Sequence, residues 1–186
     1  MSICMIYLKR ELANVLEKAK KIRMLILDVD GVMTDGGIIY SNSGEELKSF
    51  HVRDGTGIKM LIREGIKVVI ISGRRSRSVD YRAQELGIKE VYQGVKDKVE
   101  VFKEILKKYK IDPQQVGFVG DDLIDIPLLL RVGFSAVVAD AIEEVKQNVD
   151  YITKNPGGRG AVREICDLIL KSQGKWEKYL VRGKTN

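Results

Sequence analysis

Two carboxylates two residues apart, Asp28 and Asp30, follow the apolar run Met24, Leu25, Ile26, Leu27 in the stretch MLILDVDGVMTDGG. Side chains two apart on an extended chain share a face, and like charges held that close call for a cation or a shared proton. Other polar groups follow apolar runs in the same way: Ser72 after residues 67–71, and Asp121 and Asp122 after residues 116–119 and Gly120. Lys98 stands in a loop or first helical turn, and Asp125 comes three residues after Asp122. Such groups suit phosphoryl transfer. A carboxylate attacks, a second carboxylate serves as general acid and base, a hydroxyl and an ammonium hold phosphoryl oxygens, and further acids hold a cation. Hard oxygen donors, with no cluster of thiols or imidazoles, favour Mg²⁺ over Zn²⁺. Taken singly, each residue has a plainer reading as a turn former, a helix cap or one exposed lysine among many. Their joint placement after strands argues for the chemistry.

The elements that must position them can be read from periodicity. Leu8, Leu12, Val15, Leu16, Ala19 and Ile22 predict an amphipathic helix over 6–22, packed ahead of a buried strand at 24–27. Residues 36–52, with Ile38, Ile39 and Tyr40 before a turn at Asn42, Ser43 and Gly44, predict a projecting β-hairpin. Its apolar residues exceed what so small a body covers, so a partner subunit is expected there. Asp54 is expected to cap a helix ending at Gly65, and Ser76 or Ser78 to open one ending at Gly87. Strands are expected at 67–71, 90–92, 116–119, 135–138 and 150–153, with helices after Lys98, around Asp125 and over 159–171. The tail, 174–186, carries Trp176, Tyr179, Leu180 and Arg182; it is either frayed or reaches a neighbour's site. Alternating strands and helices define an α/β class: a doubly wound, mostly parallel sheet flanked by helices, in one domain spanning 1–186. Such sheets carry ligands at the carboxyl ends of their strands, so Asp28, Asp30, Ser72, Lys98, Asp121 and Asp122 should converge.

Composition excludes several classes. The 32 Lys and Arg exceed the 26 Asp and Glu by six charges, but the two signs alternate along helices, which argues against a nucleic-acid stripe. No stretch approaches the roughly 18 uninterrupted apolar residues of a membrane span. Lys9, Arg10 and Glu11 stand where a signal peptide needs its apolar core. Cys4 and Cys166 have neither metal-type spacing nor a disulfide framework and read as buried thiols, so a cytoplasmic protein is expected.

The order DVDG, ISGR, a lysine, then GDD with Asp125 resembles the four motifs of the haloacid dehalogenase superfamily of phosphatases, over residues 24–125. That resemblance implies Asp28 as a nucleophile forming a phosphoaspartyl enzyme and Asp30 as the group that protonates the leaving oxygen and then activates water. It implies Ser72 and Lys98 on the phosphoryl group, and Mg²⁺ held by Asp28, the backbone carbonyl of Asp30 and Asp121, with Asp122 and Asp125 in or near the second shell. Members usually carry an inserted cap domain, but only 43 residues lie between Asp28 and Ser72, and one helix bridges Lys98 and Asp121. No cap fits, so the hairpin and neighbouring subunits must wall the site.

The capless plan, with VMTDGGIIYSNSGEELKSFHVRDGTGIKML and NPGGRGAVREICDLIL, closely resembles the family of 3-deoxy-D-manno-octulosonate 8-phosphate phosphatases. This implies a Mg²⁺-dependent homotetramer with a central barrel of hairpins, acting on a small anionic sugar-acid phosphate in lipopolysaccharide precursor synthesis. By the same resemblance, His51, Val52, Arg53, Asp54, Gly55, Lys59, Arg74, Arg82, Asp30 and Lys98 would contact substrate. Arginines suit bidentate anion recognition. Asp30 already fills the acid/base role, which leaves His51 a substrate contact. Arg75 and Arg77 read as a solvated face. Two rivals stay open: a capless phosphatase for nonulosonate 9-phosphates, and a non-enzymatic receiver domain, in which the acid pair and phosphoacceptor come in another order on a shorter chain.

Overall fold

The computed structural model describes residues 3–181, with side chains from Leu12 onward. The inward placement of Leu8, the burial of Cys4 and the part of the tail that includes Arg182 lie outside the described residues.

Chain order is α1 (Ile3–Lys20), β1 (Met24–Leu27), β2 (Ile39–Tyr40), β3 (Glu46–Leu47), α2 (Val52–Arg63), β4 (Lys67–Ser72), α3 (Arg77–Leu86), β5 (Glu90–Gln93) and α4 (Lys98–Tyr109). There follow β6 (Val116–Gly120), α5 (Ile126–Leu129), β7 (Phe134–Val137), α6 (Glu143–Lys146), β8 (Tyr151–Ile152), α7 (Ala161–Ser172) and α8 (Glu177–Val181). Six strands pair in the order β5-β4-β1-β6-β7-β8, all parallel. Strand β1 lies between β4 and β6, where the direction of winding reverses, and the crevice beyond such a reversal is where α/β sheets bind ligands. Its four residues are fully buried, as expected of a central parallel strand covered on both faces.

The predicted elements are all present, with boundaries shifted by a few residues. Ser72 and Gly120 belong to β4 and β6, so the reactive ends of these strands begin one residue later than the apolar runs implied. Ser76 is the N-cap of α3, and Gly87 ends it in the left-handed conformation. The carboxylate of Asp97 accepts from the Val99 and Glu100 amides, so Lys98 is the first residue of α4. One capping expectation is corrected: the N-cap of α2 is His51, without a side-chain cap, and Asp54 lies in the first turn with its carboxylate turned to the Arg163 amide at 2.7 Å. An acid at the third helical position is free to cap a neighbouring helix, and Asp54 does so for α7.

The hairpin has two-residue strands, β2 and β3, paired antiparallel, with Ile38, Ile39, Tyr40 and Leu47 exposed. Within the described residues no domain is inserted between β1 and β4 or between α4 and β6, and no helix is long and apolar enough to cross a membrane. The described tail folds back on its own chain: Lys178 and Tyr179 reach Glu64 at 2.5 and 2.6 Å.

Candidate active site

The polar residues after β1, β4 and β6 meet Lys98 at the carboxyl edge of the sheet. Lys98 Nζ lies 2.8 Å from Asp28 Oδ2 and 2.6 Å from Asp125 Oδ1, with the lysine and both acids buried. The other Asp28 oxygen accepts from the Val29 amide at 2.7 Å. Asp125 is fully enclosed, and its second oxygen accepts from the amides of Asp121 and Asp122 at 3.0 and 3.4 Å, which shapes the turn carrying Asp121. Ser72 is buried, and its hydroxyl accepts from the Arg74 amide at 3.3 Å. Asp122 faces solvent and caps the turn after it through the Leu123 amide.

Oxygens of Asp28, Asp121 and Asp125 lie within 4.8 Å of one another. Burial pushes the Asp28 carboxyl up to about 6, with Lys98 working against the shift and Asp125 adding to it. The Asp121 carboxyl is pushed up to about 7, by burial first and then by the charges of Asp28, Asp125 and Asp122. One ammonium does not neutralise this many carboxylates, and a divalent cation would. The donor set therefore fits Mg²⁺. Among the described residues the Asp121 carboxylate oxygens have no hydrogen bond or ion pair, whereas the oxygens of Asp28 and Asp125 already serve Lys98 and backbone amides. Gly31 makes the room: its φ is +84°, and a Cβ there would fall 2.0 Å from Asp121 Oδ2.

Asp28 and Asp30 both lie past the end of β1 and are held by different cations. Asp30 Oδ1 pairs with Lys48, and Arg74 Nε lies 3.7 Å from Asp30 Oδ2. Glu46 bridges the two bases, at 2.9 Å from Lys48 Nζ and 2.6 Å from Arg74 Nη2. The hydrogen bond from Lys48 is the largest cause holding the Glu46 carboxyl down at about 2; burial opposes it and Arg74 adds to it.

Sequence reading missed Lys48 and Glu46. They stand two apart, Glu46 on β3 and Lys48 just beyond it, a spacing whose signal the apolar residues around them masked. It also missed the backing of the acidic loop. Gly158 donates its amide to Val32 O at 2.9 Å, and a Cβ on Gly157 would fall 1.6 Å from Gly31 O.

His51, Val52, Arg53, Asp54 and Gly55 form the first turn of α2, against α7. Arg82 Nη2 donates to His51 O at 3.2 Å. His51 and Arg53 line a cavity of about 370 Å³ with Lys154, Arg159, Arg163 and Lys171. Among the described residues no hydrogen bond or ion pair joins the 51–55 segment or Lys59 to Asp28, Asp30 or Asp121.

A buried carboxylate paired with a lysine, a strand-end serine and further acids thus meet at the carboxyl edge of a parallel sheet, and the family model of haloacid dehalogenase-like hydrolases matches residues 90–165. The chain is 51% identical to Escherichia coli K12 3-deoxy-D-manno-octulosonate 8-phosphate phosphatase KdsC over 166 residues, which is 89% of this chain and 88% of the relative. The Yersinia pestis 3-deoxy-D-manno-octulosonate 8-phosphate phosphatase structure superposes with a TM-score of 0.87 at 51% identity, covering 88% of this chain and 89% of that one. The Moraxella catarrhalis 3-deoxy-D-manno-octulosonate 8-phosphate phosphatase, in complex with magnesium ion, phosphate ion and KDO, gives 0.89 at 41%, covering 91% and 98%. The chain belongs to the 3-deoxy-D-manno-octulosonate 8-phosphate phosphatase family of haloacid dehalogenase-like hydrolases.

Proposed function

We propose that the chain, as one catalytic domain, is a Mg²⁺-dependent phosphomonoesterase that hydrolyses 3-deoxy-D-manno-octulosonate 8-phosphate to the free sugar acid and phosphate, in lipopolysaccharide precursor synthesis. The observation that carries this reading is the junction of Asp28, Lys98, Asp125 and Asp121 at the strand ends of a chain so close to KdsC. Asp28 attacks phosphorus, and the sugar C8 oxygen leaves with a proton from Asp30. Water, deprotonated by Asp30, then attacks the phosphorus of the aspartyl phosphate, which releases phosphate and restores Asp28. Lys98 and Ser72 hold the phosphoryl oxygens, and Asp125 positions Lys98. Asp28, the Asp30 carbonyl and Asp121 would hold Mg²⁺, which supplies neutralisation of charge on the transferring group. Arg74, beside Asp30, is placed to meet an anionic substrate at the mouth of the site.

The test is phosphate release with Mg²⁺, comparing kcat/KM for the octulosonate 8-phosphate, a nonulosonate 9-phosphate and p-nitrophenyl phosphate. Many turnovers with the first preferred are expected. Preference for the nonulosonate ester would transfer the assignment to that sugar acid, and a single stoichiometric phosphorylation would make the chain a phosphoacceptor.

The assembly is a homotetramer in the cytoplasm, built through the hairpins, and neighbouring subunits close the site with the 51–55 segment and Lys59. Its support is the exposed Ile38, Ile39, Tyr40 and Leu47, with no domain inserted between β1 and β4 or between α4 and β6 among the described residues. Sedimentation of a variant with Ile38 and Ile39 both changed to Ser should show smaller species than wild type. An unchanged tetramer would contradict the hairpin assembly.

A further inference from the structure

The hairpin does more than offer an apolar surface. Lys48 reaches inward from just beyond β3 and its side chain is only 1% exposed, which is rare for a lysine unless it is paired. Its Nζ meets Asp30 Oδ1 on one side and Glu46 Oε1 on the other. Glu46 is itself fixed by Arg74, and Arg74 Nε faces Asp30 Oδ2. The four side chains close a ring: Asp30, Lys48, Glu46, Arg74. Two members come from the hairpin, one from the acidic loop and one from the turn after β4.

Burial works to lower the Lys48 pKa, and the pairs with Asp30 and Glu46 outweigh it and raise it. A carboxylate gripped at Oδ1 by one fixed cation, with a second cation 3.7 Å from Oδ2, has lost its freedom to rotate.

We infer that Lys48, itself held by Glu46, is a positioning residue that orients the Asp30 carboxyl for proton transfer, so that the hairpin sets the geometry of the acid. This rests on the reading of Asp30 as proton donor and of the chain as a phosphomonoesterase. The balance of the first step is unchanged: the P–O bond to the sugar breaks, the O–P bond to Asp28 forms, and the leaving oxygen takes the Asp30 proton.

The readout is leaving-group dependence. Up to the first irreversible step, kcat/KM reports phosphoryl transfer to Asp28. An alkoxide needs the acid, whereas p-nitrophenolate departs without it. Lys48→Met should lower kcat/KM about 30-fold for the sugar phosphate and for a simple alkyl phosphate lacking a carboxylate, but less than about 3-fold for p-nitrophenyl phosphate. Lys48→Arg should recover most of the loss. Glu46→Gln, which loosens Lys48 without removing it, should move the alkyl-to-aryl ratio the same way by a smaller factor, and it supplies the same comparison if Lys48→Met fails to fold. Equal losses on alkyl and aryl esters would overturn the proposal, as would a loss confined to the sugar acid, which would make Lys48 a contact to the sugar. Wild type on the octulosonate 8-phosphate, with Asp28→Asn as the blank, tests the underlying reading separately: if wild type turns over and the variants show no change in ratio, only the role of Lys48 fails.

Discussion

Asp28→Asn is expected to lower kcat by about 10⁴-fold or more while leaving the metal-free protein at least as stable as wild type. The first half follows from chemistry. An amide cannot open the phosphoaspartyl route, and a loss of that size corresponds to about 5.5 kcal/mol of transition-state stabilisation. The second half follows from the environment of Asp28. Folding raises its carboxyl from an ordinary value to about 6, by burial above all. An acid whose pKa rises on folding opposes folding once the pH exceeds its unfolded value, and the penalty grows until the pH passes the folded one. Above pH 6 the full penalty applies, and the neutral asparagine removes it while Lys98 keeps Asp125 as a partner. Steady-state phosphate release and thermal melts in a chelator at pH 7 check both halves. A folded variant retaining a tenth of wild-type kcat, or one melting well below wild type, would contradict this account of the site.

The second large effect is predicted far from any reactive group in sequence. Gly157→Ala should reduce kcat at least about 100-fold and destabilise the fold by about 1–3 kcal/mol. The added Cβ would stand 1.6 Å from Gly31 O, 2.6 Å from Gly31 C and 3.1 Å from Thr34 O, which is backbone and cannot rotate away. Gly158 is fixed beside it, with φ +61° and its amide on Val32 O, so the 157–158 segment cannot retreat without losing that bond. The acidic loop must give, and Gly31 is the residue against which the Asp121 carboxylate packs. Displacing it disturbs both acids of the cation site. A shift of the Mg²⁺ titration to higher concentration, with kcat falling in step, is the expected pattern. A variant with wild-type melting and wild-type kcat would show that the close approach is not needed.

Much of this was legible in the residues. Apolar runs ending in acids, serine and glycine mark strands that stop at a site, because a buried parallel strand shows as continuous apolar sequence and its carboxyl end as an abrupt polar change. That contrast located β1, β4 and β6 and, through them, Asp28, Ser72 and Asp121. Two kinds of feature were not legible. Roles that depend on orientation were hidden: Asp54, read as a cap for α2, turns to α7 instead, and Asp122, adjacent to Asp121, faces solvent. Partners remote in sequence were hidden too. Lys48 meets Asp30 across a hairpin, and Gly157 meets Gly31 across most of the chain. Nothing local in either segment announces its partner, since charge on a hairpin ordinarily means solvent and glycine ordinarily means a turn.

The central claim is that the strand-end carboxylate Asp28 takes the phosphoryl group. Quenching wild-type enzyme in mid-turnover with the octulosonate 8-phosphate and reducing the acyl phosphate with borohydride converts a phosphorylated aspartate to homoserine, which mass spectrometry of the digested chain can locate. Homoserine at position 28, dependent on both substrate and Mg²⁺, is the predicted result. Continued turnover with aspartate intact at position 28, or homoserine at Asp30 or Asp121 instead, would contradict it.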